Sequence, residues 1–160
     1  MSDRADLSDL DSADYDSDFV AWTKEQALAL RRRATNAIDW DNIAEEIESL
    51  GKSDLGDLRS RIQTILDHLM RLQASPAQAP RHGWERTLIV QRPGIRQLLD
   101  DSPSLKPAVP VVIAAEMPTA RRLATLAMEE YGGAPRAPLD QLSYTEAQML
   151  GPRLPEAVAA

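Results

Sequence analysis

The 160-residue chain has no cysteine, which removes disulfides, thiolate nucleophiles and cysteine-held metals together. Aromatics are only 4% of it, so its core has to come from Leu, Ile, Val and Ala, the composition of helices packed on helices. Basic residues are the minority: 18 Lys and Arg against 25 Asp and Glu give a net charge of −7. A general nucleic-acid or anionic-membrane binder needs a basic surface, so neither partner is expected. No apolar run approaches the length of a membrane span. Met1 to Asp14 is acidic and lacks the apolar stretch of a secretory signal, and the expected address is the cytoplasm. Also missing are His-Glu-x-x-His, a glycine-rich phosphate loop and a Gly-x-Ser-x-Gly elbow. The Glu-x-x-His of di-metal bundles fails too, because Ile65 precedes His68 by three and Ala79 precedes His82 by three. No metal and no cofactor is expected.

What is present reads as one all-α domain over residues 15–156, a helical bundle with one long central helix. An acidic tail over 1–14 reads as disordered, and a short tail follows at 157–160. Phe19 to Arg33 is the first helical region, capped by Ser17 or by a Thr23/Gln26 capping box. Asp39 is the N-cap of the next helix, with Ile38 and Ile43 as hydrophobic staple. Ile43, Ile47, Leu50, Leu58, Ile62, Ile65, Leu66, Leu69 and Leu72 then hold helical phase to about Gln73. Gly51 and Gly56 weaken this helix by about 1 kcal/mol each, which makes a break near Gly51 the alternative. Ala74 to Arg81 is a loop, and a helix from Trp84 to Leu99 contains Pro93, which should kink it. Prolines at 107 and 118 predict two helices, over 107–116 and 118–131. Gly132-Gly133 ends the second. The remainder, with four prolines around a short helix over 145–150, is a strap along the body.

Five acids crowd the stretch from Asp39 to Glu48. On a helical wheel, Ile43, Ile47 and Leu50 define the buried stripe, and Asp41, Glu45 and Glu48 fall on the solvent side. Glu46 lies about 60° off the apolar centre, where a partner helix can face it. His68 sits at the edge of the Ile65, Leu69, Leu72 stripe, a position that suits a hydrogen-bonded structural residue as well as an acid/base. Gln91 falls within the Trp84, Leu88, Ile95 stripe and needs a partner, with His68, Glu46 and Asn42 as candidates; a polar layer fixing helix register is the plain alternative. Arg31 to Arg33 end a helix and suit its dipole. Asp57 and Asp67 each stand four residues before an arginine, Arg61 and Arg71, and neutralise them along the helix.

Several residue runs together resemble the bacterial family known as domain of unknown function 29. They are Tyr15 to Phe19 with Trp22, Asn42 to Gly51, His68-Leu69-Met70, Trp84 with Thr87, and Gln91-Arg92. Ser102 to Leu105, Tyr144-Thr145 and Leu154-Pro155 complete the order, over about Tyr15 to Glu156. The resemblance implies an all-helical bacterial protein and no assigned reaction. Its recurring polar positions fall here on Glu45, Glu46, His68, Gln91 and Arg92. Pro93 and Gly83 depart from its pattern.

The expectation for function is a helical protein-interaction or regulatory module, taking an unidentified protein or a second copy as partner. The alternative is a small-ligand binder or enzyme with an interhelical cleft. There Glu46 and His68 would be catalytic, and Asn42, Glu45, Trp84, Gln91 and Arg92 would bind the small molecule.

Overall fold

The computed structural model describes residues 15–131 and 133–158. The acidic tail over 1–14 lies outside the described residues, as does part of the short tail over 157–160. Five α-helices joined by short 3₁₀ turns make an all-α protein, with no strand among the described residues. Contacts divide the chain into two units, Met1–Gly51 and Lys52–Ala160.

In the first unit, α1 spans Phe19–Arg32 and is capped by Asp18, whose carboxylate accepts the Ala21 N–H. The cap is therefore neither Ser17 nor a Thr23/Gln26 box. Arg33 closes the helix in the left-handed conformation at φ 55°. α2 spans Trp40–Ala74, and Asp39 stands before it, accepting the Asn42 backbone N–H at 3.3 Å and its amide at 2.7 Å. The Asp39 N–H donates to Gln26 Oε1 (2.8 Å) and Tyr15 donates to Glu46 (2.5 Å), so α1 and the start of α2 run antiparallel.

α2 is continuous for 35 residues, through Gly51 and Gly56. Neither glycine has anything within 4 Å of where a Cβ would stand. They dilute helix propensity without ending the helix. The apolar stripe keeps its phase along the whole helix, but not its burial. Leu58, Ile62, Ile65, Leu66, Leu69 and Leu72 are buried, whereas Ile47 and Leu50, expected in the core, are 64% and 70% exposed.

In the second unit, the buried part of α2 packs with α3 (Arg81–Asp101) and α4 (Val109–Glu130) around Met70, Trp84, Leu88, Ile95, Ile113 and Met128. α3 starts three residues before Trp84, on turns closed by the Pro80 carbonyl. It runs on through Pro93. α4 is one helix where the prolines predict two, because Val112, Ile113, Met117, Ala120 and Ala124 form a single buried stripe across Pro118. Both prolines lie on the exposed side, where water can reach the carbonyl that loses its N–H partner. The 3₁₀ turn Pro103–Ala108 leads into α4.

The C-terminal strap carries α5 (Glu146–Leu150), started by a full capping box between Thr145 and Gln148. Arginines of the helices bind it through its main chain. Arg92, 4% exposed, donates to the carbonyls of Met149 (2.8 Å), Gln148 (3.1 Å) and Arg153 (3.0 Å). Arg121 does the same to Leu139, Asp140 and Leu142. In return the N–H groups of Arg136 and Val158 donate to the carbonyls of Ala74 and Gln73, acceptors that the end of α2 would otherwise leave open.

Arg92→Met should therefore strip three carbonyls of their donor and cost ~2–4 kcal/mol. Urea denaturation measures the loss, and hydrogen exchange should show amides 146–153 losing protection before the core does. Unchanged protection there would contradict the role given to Arg92. Gly56→Ala should stabilise by about 1 kcal/mol. Gly94→Ala should gain less, because its Cβ would collide with Arg61 Nη1 and push that side chain off Gln91.

Candidate functional site

The first unit holds a groove of about 420 Å³ between α1 and the start of α2. Its walls follow from helical spacing. Phe19, Trp22, Gln26 and Leu30 recur on one face of α1, and Ile43, Glu46, Ile47 and Leu50 on one face of α2. Tyr15, Phe19 and Trp22 form an aromatic cluster, with ring centroids 4.9–5.8 Å apart. Trp22 is buried, and its indole nitrogen has no hydrogen-bond partner. That N–H still adds a weak pull on Asp39, whose carboxyl is held below its ordinary value mainly by the Asn42 amide.

Glu46 is half-buried beside this groove and accepts the Tyr15 hydroxyl. The bond to Glu46, burial and the nearby charges of Glu46, Glu45 and Asp16 push the Tyr15 hydroxyl up to about 12. Tyr15 is thus a donor at neutral pH, engaged with Glu46. Asn42 is engaged with Asp39. Glu45 is exposed, on the solvent side where its wheel position puts it.

His68 belongs to the second unit. Its Nδ1 lies 2.8 Å from the Thr64 carbonyl and 3.5 Å from Asp67. A carbonyl only accepts, so Nδ1 carries the proton and Nε2 keeps the lone pair. Asp67 is 4% exposed and is gripped by Arg71 through Nε at 2.7 Å and through Nη2. Burial raises the Asp67 carboxyl against the pull of Arg71, and burial lowers the His68 imidazole. The Asp67–Arg71 pair is the one expected from spacing, but its burial is not. Nothing in the i,i+4 pattern reports burial.

Gln91 accepts from Arg61 Nη1 at 3.0 Å, rather than from His68, Glu46 or Asn42. Arg61 is also bound by Asp57 at 2.8 Å, the pair expected from spacing. Arg92 is occupied by the strap. Trp84 is buried, with its ring edge-on to Tyr131 at 6.4 Å. Asn42, Glu45 and Glu46 belong to the first unit and His68, Trp84, Gln91 and Arg92 to the second, and each has its own structural partners or, for Glu45, solvent. Sequence reasoning also misses Glu116, a buried carboxylate that accepts from Arg59 (2.8 Å) and Gln63 (3.2 Å). Its helix position matches an apolar site, which is the available signal. Among the described residues no group of three or more acids or histidines is placed to hold a metal ion. No helix among them is long and apolar enough to cross a membrane.

The lowered imidazole has a pH consequence. With its folded pKa below the unfolded 6.5, His68 contributes stability that is fully present above 6.5 and lost as pH falls toward the folded value. Asp67, raised above 3.8, acts in the opposite sense at lower pH. The difference in unfolding free energy between wild type and His68→Asn should therefore shrink as pH falls from 7.5 to about 5.5. A difference independent of pH would show that His68 does not titrate differently on folding.

No curated protein and no solved structure matches the chain. The family described as domain of unknown function DUF29 matches over residues 15–153. The chain belongs to that family.

Proposed function

We propose that this protein is a helical interaction module whose partner docks in the α1–α2 groove. One observation carries the reading: the apolar walls of the groove stand open to solvent. Among the described residues of the first unit only Trp22 and Ala29 are buried, while Phe19, Leu30, Ile47 and Leu50, which line the groove, are exposed. Helices stabilise themselves by burying such a stripe, and an apolar groove left uncovered marks a contact site. The groove is mostly apolar along both walls, with Thr23, Gln26 and Glu46 as the polar groups that would orient what enters. Such a lining fits an amphipathic helix presenting apolar anchors at i, i+3, i+4 and i+7. The lack of cysteine suits a bacterial cytoplasm.

The catalytic alternative draws less support. Glu46 is held by Tyr15 and His68 by Thr64, and acid/base chemistry needs partners within about 2.6–3.2 Å of a shared reacting group.

A photo-crosslinking residue placed at Leu50 of the full chain, irradiated in its host lysate, should yield protein adducts. The same residue at exposed Glu129 should not. Ile47→Glu in the Leu50 probe should abolish the adducts while leaving the thermal midpoint within about 2 °C, because Ile47 is largely exposed. Adducts at both positions, or at neither, would overturn the docking role.

A further inference from the structure

We infer that the occupant of the groove is a second copy of this chain, seated antiparallel so that two α1–α2 hairpins close into a four-helix arrangement. The inference rests on the interaction reading above and names its partner.

Shape argues first. One hairpin with an apolar stripe on each helix is half of a four-helix bundle, and an identical half supplies the missing stripes in matching length. A two-fold contact requires this self-complementarity, with the same patch on both sides.

Charge selects the orientation. Arg31, Arg32 and Arg33 are all exposed at the turn end of the hairpin and outnumber Asp39 and Asp41 at the start of α2, while Asp16, Asp18 and Glu46 lie at its open end. A two-fold axis across the hairpin sets the arginine end of each copy against the acidic end of the other, so every attraction occurs twice. A parallel seating would instead stack three arginines on three arginines. Copies with a net charge of −7 repel at long range, which makes this basic patch the natural point of attachment.

Sedimentation equilibrium of the full chain should give twice the mass of 17.7 kDa, with a salt-sensitive dissociation constant. Ile47→Glu with Leu50→Glu should give a monomer of unchanged helical circular dichroism. Arg31→Glu/Arg32→Glu/Arg33→Glu, and separately Asp16→Lys/Glu46→Lys, should each weaken the dimer about tenfold or more. Mixing these two variants should restore a heterodimer, since each acidic end then meets a basic one in both seats. A wild-type monomer overturns the second-copy inference, as does a dimer indifferent to Ile47 and Leu50, or charge variants that do not rescue each other. The proposals fail separately: heavier adducts from the Leu50 probe with a monomeric chain would leave docking standing and remove only self-association.

Discussion

One apolar stripe, held in phase along the unbroken α2, sets the terms for everything else. Between Leu58 and Leu72 it is fully enclosed, and α3 and α4 owe their positions to it. Between Ile43 and Leu50 the stripe continues on the same helix with α1 beside it, and most of its apolar area faces solvent. A helix cannot change its periodicity to suit its surroundings; the surroundings have to supply the cover. The open apolar groove thus follows from the constraint that also makes the core.

Much of this is legible in residue order. The Asp39 start, the phase of α2, the short helix capped by Thr145 and the proline-bearing strap are local events, governed by side chains reaching neighbouring backbone. The prolines mislead because their cost depends on which side of a helix they occupy. Pro118 looks like a boundary, yet it lies on the outer face of α4, and the buried stripe from Val112 to Ala124 outweighs one lost hydrogen bond. Pro93, expected within a helix, lies inside α3 on its exposed side.

The site is less legible, for a physical reason. Periodicity assigns a residue to a face but does not say whether anything covers that face. It therefore places Ile47 and Leu50 in a core when both are largely exposed. Glu46 does stand out correctly as a boundary carboxylate, but its partner Tyr15 lies 31 residues away and no local pattern links them. Gln91 does need a partner, as its place in an apolar stripe requires. That partner is Arg61, whose pairing with Asp57 is also expected, so one guanidinium serves both an i,i+4 neighbour and a distant amide.

The strap is held by a different kind of recognition. Arg92 and Arg121 bind carbonyl oxygens, which every residue type supplies, so the grip is blind to the identity of the side chains between Leu139 and Arg153. Spacing is what it senses. A substitution at exposed Asp140 leaves its carbonyl in place, whereas one residue inserted between the two arginine contacts would put every downstream carbonyl out of register. Away from Leu139, Tyr144 and Met149, which fill the core, and the Thr145–Gln148 capping box, this segment should therefore be permissive in sequence and strict in length, the reverse of an ordinary surface loop.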